Sequence, residues 1–191
     1  VLKSTGGIAG VTAEMVDSLS VKISENSKYT DEAVKSAEIL LLTFTNIGKD
    51  IFPQATQATA DLAARFKMDL SSASVMVGKA LNDPIAGITA LGRAGVQFSD
   101  DQKKVIKAMV ETGDLAGAQN IILSELKMQT EGAAASQVTA WERVQKKFDN
   151  MKESLGTALL PTLDKLGTMM SDVLDNPQVQ AALENLTKWL G

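Results

Sequence analysis

The residues 78–98, GKALNDPIAGITALGRAGVQF, constrain the fold of this chain more than any other stretch. Asn82-Asp83-Pro84 closes one helix and opens the next. The carboxylate of Asp83 can accept from the free backbone N–H groups of a first helical turn. Pro84 then falls at the first helical position, where its missing N–H costs nothing. Ile85, Ile88 and Leu91 form an apolar stripe at helical spacing. Gly92 stands where a left-handed C-terminal residue is expected, and Gly95 allows a second reversal. Val96 and Phe98 alternate around Gln97 as in a short extended segment. A helix, a corner, a short helix and an extended piece within about twenty residues predict a compact helical domain.

The same punctuation recurs upstream and downstream. Thr12 is the cap of a first helix with Met15, Val16, Leu19 and Ile23 on its apolar face. Thr30, followed by Asp31 and Glu32, opens a second helix, with Tyr29 and Val34 placed as a hydrophobic staple. Apolar residues from Ala33 to Ile47 cover more than one stripe, which predicts the central, most buried helix, ending at Gly48. Pro53 starts a helix carrying Ala55, Ala58, Leu62 and Phe66, and Asp69 caps one carrying Leu70, Ala73, Val77 and Ala80. Ser99 and Gln102 have capping-box spacing ahead of Val105, Ile106, Met109 and Val110. Gly113-Asp114 ends that helix and caps another, lined by Leu115, Ala118, Ile122 and Leu126.

After Gly132 the pattern changes. Residues 133–155 contain neither Gly nor Pro. Val138, Trp141, Val144, Phe148, Met151 and Leu155 recur at spacings of three and four, a seam of coiled-coil type. Pro161 is the candidate kink of this helix, and Asn176-Pro177 stops it. The fold class expected is therefore all-α. A flexible end at 1–11 precedes a compact helical domain over 12–129. A long helix over 133–174 and a short terminal helix over 178–191 follow. The segment 130–135 reads as a flexible joint.

Composition narrows the chemistry. The 191 residues include no Cys and no His, which removes disulfides, Cys nucleophiles, His general bases and His/Cys zinc sites. The net charge of −4 argues against a chain whose main task is holding nucleic acid, since such proteins usually show a basic face. Lys103, Lys104 and Lys107, and Arg143, Lys146 and Lys147, read as solvated helix faces. Asp100 and Asp101 have lysines for neighbours and suit a first helical turn rather than acid/base work. The glycines of 78–98 lack phosphate-loop spacing. The longest apolar run, residues 39–42, is far too short to span a bilayer, and the N-terminal ten residues lack signal-peptide order. The chain reads as a fragment of a longer protein.

Several phrases, in order and with spacing kept, resemble phage and prophage tail tape measure proteins. They are LLLTFTNIGKDIFPQA (40–55), the stretch 78–98, FSDDQKK (98–104), GDLAGAQNIILSEL (113–126) and LGTALLPTLDKLG (155–167). The resemblance covers about 20–175 and contains no catalytic motif. It implies a non-enzymatic structural protein, without cofactor or metal, that sets tail length, scaffolds the tail tube and leaves before DNA is ejected. The partners implied are the tail tube protein, tail assembly chaperones and the tail-tip complex. The places implied are the virion tail lumen and, during assembly, the host bacterial cytoplasm. The scaffold positions expected are Asp83, Pro84, Gly92 and Gly95; Trp141, Phe148 and Leu155 are the candidate self-association residues of a homo-oligomer. No membrane span and no specific nucleic-acid binding are expected. Two other classes stay open: a helical interaction or membrane-active secretion module, and a non-catalytic part of a tail-associated cell-wall hydrolase.

Overall fold

The computed structural model describes residues 10–139, Glu142 and Lys165. Over these residues the protein is all-α, with seven helices of eleven residues or more, one single-turn helix and no strand. In order they are α1 (Ala13–Glu25), α2 (Asp31–Leu41), α3 (Phe52–Phe66), α4 (Leu70–Asn82), α5 (Pro84–Ala94), α6 (Asp100–Glu111), α7 (Leu115–Thr130) and α8 (Ala133–Ser136).

The expected caps form. Thr12, Thr30, Asp69, Asp83, Ser99 and Asp114 each accept a first-turn backbone N–H, and Ser99 with Gln102 makes the full reciprocal box. Each cap satisfies a donor that the helix itself leaves free.

The helices close around α3, not α2. Ten of the fifteen residues of α3 are buried, against four of eleven in α2. Alanines at 55, 58, 60, 63 and 64 let α2, α4, α7 and α8 approach α3 closely. Its buried threonines donate to their own helix, Thr56 to the Phe52 carbonyl at 3.0 Å and Thr59 to Ala55 at 2.8 Å. Phe52, Leu62, Leu41, Leu81, Ile122 and Leu126 fill the core between these helices and are fully buried.

The expected run of α2 to Gly48 is corrected: the helix ends at Leu41. Thr43 and Phe44 fold back by three-residue backbone bonds to Leu40 and Leu41. This turn carries the Phe44 ring onto Gly78 of α4, where an added Cβ would lie 2.2 Å from the ring. A long-range contact therefore wins over a continuous helical pattern, and Ile47 reaches the core from a loop.

Two apolar faces also differ from expectation: that of α5 is rotated, and that of α6 is narrower. In α5 the buried positions are Pro84, Gly87 and Leu91, while Ile85 is exposed. In α6 only Ile106 is buried; Val105 is exposed, and Met109 and Val110 are half-buried. The outer helix α6 packs on α5 and α7 alone among its substantial contacts, so one narrow stripe suffices.

The domain does not stop at Gln129. Ala134 and Val138 are buried, the Ala134 N–H donates to Asp61 of α3 at 3.0 Å, and the Gln137 amide donates to the Ala64 carbonyl at 3.1 Å. The expected joint at 130–135 is thus tied into the core. The helix expected to run unbroken from Ala133 ends at Ser136, and Thr139 with Glu142 forms a new reciprocal cap. Val11, assigned to the flexible end, is buried. The chain divides into two compact units, 1–143 and 144–191. Most of the expected long helix, Pro161 and the terminal helix 178–191 lie outside the described residues.

Candidate functional site

The corner between α4 and α5 concentrates the positions that the sequence singles out. Asp83 closes α4 and caps α5, its Oδ1 accepting from the Ala86 N–H at 3.2 Å. Pro84 holds the first helical position and is buried. Gly95 ends α5 with φ +114°, and the Val96 N–H returns to the Leu91 carbonyl at 3.0 Å. Gly92 is not the left-handed residue. It lies inside α5, and the space beside its Cα is open.

These two glycines should respond oppositely to substitution. Gly92→Ala should leave stability unchanged or raise it by up to about 1 kcal/mol, because an exposed helical glycine gains propensity. Gly95→Val should cost about 1–2 kcal/mol or more, since its φ disfavours a side chain and the new Cβ would press on the Phe66 ring at 2.6 Å. Thermal melting followed by circular dichroism checks both. An unchanged midpoint for Gly95→Val, with helicity retained, would remove the strain assignment.

The extended piece after Gly95 is held by a side chain standing in for a strand. Gln129 of α7 accepts from the Gln97 N–H at 2.9 Å and donates to the Gln97 carbonyl at 2.6 Å. Gln129 also donates to the buried Glu125 at 2.5 Å, and Gln102 donates to the other oxygen of Glu125. Val96 and Phe98 are buried on either side of exposed Gln97, as their alternation implies.

A second clasp ties the C-terminal end of α4, beside the corner, to α7 and to the loop after α2. Buried Gln119 of α7 donates to the carbonyls of Asn46 and Leu81, both at 2.8 Å. Asn46 pairs with Asn82 through two further bonds at 3.0 and 3.3 Å. Sequence reasoning did not find Gln119, Asp61, Gly87 or Glu38. A lone polar residue on a helix carries no periodic signal that distinguishes a buried clasp from a solvated face.

The chemistry of the described surface is that of solvated helices. Asp100 pairs with Lys103 at 3.0 Å and Asp101 with Lys104 at 3.2 Å, all four exposed. No group of three or more His, Cys, Asp or Glu is placed to hold a metal among the described residues. Among them, no helix is long and apolar enough to cross a membrane. A cleft of about 340 Å³ opens between α1, α3 and α7, with Leu19, Ile23, Pro53 and Leu123 on its walls. Lys22 and Lys127 stand at the same cleft, and Lys127 is 3.6 Å from Glu131. Trp141, Phe148 and Leu155 lie outside the described residues.

No family model, curated protein or solved structure matches this chain.

Proposed function

We propose that the chain is part of a phage or prophage tail tape measure protein, a structural component of tail assembly, and that its first unit acts as a folded head. The carrying observation is where the resembling phrases fall. The phrase 78–98 builds the α4–α5 corner with Asp83 and Pro84 and the C-terminal reversal of α5 with Gly95, and 98–104 supplies the capping box of α6. The phrase 113–126 supplies the Asp114 cap and Gln119 of the clasp. Their residues make caps, corners and inter-helix bonds, which suits a structural reading.

A ruler and a head differ in how length depends on residue count. An extended helix adds about 1.5 Å per residue. A body whose helices fold back on α3 does not. The partners in this reading are the tail tube protein, tail assembly chaperones, the tail-tip complex and further copies of the chain. Two in-frame deletions in a phage carrying the gene test it. Removing 144–175 should shorten tails by about 48 Å if that segment lies extended in the lumen. Removing 11–138 should block initiation or completion of tails without shortening otherwise normal ones in proportion. Tails of normal length and number from both deletions, seen by electron microscopy, would rule out the proposal.

A further inference from the structure

Glu38 is the most unusual group in the described core. It sits in α2 with no exposed surface, and neither carboxyl oxygen has a hydrogen-bond partner. A buried charge without a partner is far more costly than a buried neutral acid.

The surroundings offer little help to a charge. Asp17 of α1 acts on Glu38 by repulsion, and Lys35, one turn back on α2, by attraction. The Lys35 ammonium is drawn elsewhere, to Asp17 at 3.1 Å and Asp31 at 3.5 Å. Neither α3 nor α4, the other helices packed on α2, brings a charged group to bear on it. The buried hydroxyls of α1 are committed too: Ser20 donates to the Asp17 carbonyl and Ser24 to the Val21 carbonyl, each at 2.9 Å. Burial pushes the Glu38 carboxyl up to about 8, with Asp17 adding to the rise and Lys35 opposing it.

We propose that the α1–α2 hairpin is a pH-sensitive latch, closed over an uncharged Glu38 carboxyl and loosened when that carboxyl ionises. Helix α1 packs chiefly on α2, and more lightly on α3. Its release uncovers Val16 and Ile23 of α1 and the apolar face of α2 beneath them. It also removes the wall that Leu19, Lys22 and Ile23 give to the cleft. The latch thus couples protonation to exposure of an apolar surface, independently of the tail assignment.

The direction follows from proton binding. Below the ordinary value of 4.5, closed and open hairpins both hold the proton, and this group gives no pH dependence. Between 4.5 and about 8 the open form ionises while the closed form keeps its proton, so each rise in pH favours opening. Above about 8 both forms are ionised, and the effect levels off at its maximum.

The test uses the whole chain. Carboxyl carbon NMR should show Glu38 titrating well above the ordinary glutamate range. Hydrogen exchange at several pH values, corrected for intrinsic rates, should show α1 and α2 opening up to about tenfold more per pH unit across the window. Helices α3 to α7 should show no such rise, and E38Q should flatten the response. Glu38→Met, apolar and similar in length, is the second variant should the glutamine amide prevent folding, and the NMR titration needs no variant. Titration of Glu38 near its ordinary value, parallel responses of wild type and both variants, or a uniform rise in exchange would each overturn the latch.

Discussion

Gly87→Val should lower stability by at least about 3 kcal/mol and pull the melting midpoint down by roughly 10 °C. Gly87 faces α4 from within α5, and an added Cβ would lie 2.1 Å from the Cα of Ala80 and 2.7 Å from its Cβ. The obstacle is backbone, so no rotamer change relieves it. The two helices must separate, in a region where Ala80, Leu81 and Leu91 are fully buried. Even Gly87→Ala should destabilise, in contrast to Gly92→Ala on the same helix. Loss of cooperative melting or a large midpoint shift, with Gly92→Ala unaffected, is the expected pattern. A midpoint for Gly87→Val within about 2 °C of the native protein would show that α4 and α5 do not approach so closely.

The contrast between Gly87 and Gly92 shows what the sequence could convey. Helix starts were legible, because a cap needs only an oxygen three residues ahead of a backbone donor. Thr12, Thr30, Asp69, Asp83, Ser99 and Asp114 all met that local condition. The reversal at Gly95 was legible for the same reason, since the αL conformation is a property of one residue. Distances between helices were not. Gly87 and Gly92 look alike in a string, and only the approach of Ala80 separates them. The end of α2 failed similarly. Residues 42–47 continue a helical pattern, but the Phe44–Gly78 contact and the Asn46–Asn82 pair lie 34 to 36 positions apart. Buried acids were the least legible. Sequence reasoning passed over Asp61 and Glu38, yet one accepts two bonds, from Gln57 and from Ala134 of α8, and the other has no partner at all.

Asp61 is the basis of the second large effect. Its Oδ1 accepts from the buried Ala134 N–H at 3.0 Å, and its Oδ2 accepts from the Gln57 amide at 2.9 Å. Asp61→Ala leaves a backbone donor of α8 buried without a partner. A hydrogen bond to a charged acceptor contributes about 1.5–3 kcal/mol, and an orphaned donor adds its own desolvation cost. The expected loss is about 2–4 kcal/mol. Asp61→Asn keeps an acceptor in place and should lose less. The location of the effect is more informative than its size. In the native protein 130–138 should resist a nonspecific protease, because Thr130, Ala134 and Val138 are buried and Gln137 bonds to Ala64. In Asp61→Ala the same segment should become the first site of cutting, while the α4–α5 corner stays protected. Mass spectrometry of the early fragments distinguishes the outcomes. Early cutting of the native protein at 130–138 would restore the flexible joint suggested by the change of punctuation at Gly132. Equal resistance in the native and Asp61→Ala proteins would mean that the apolar contacts of Ala134 and Val138 hold α8 without the carboxylate.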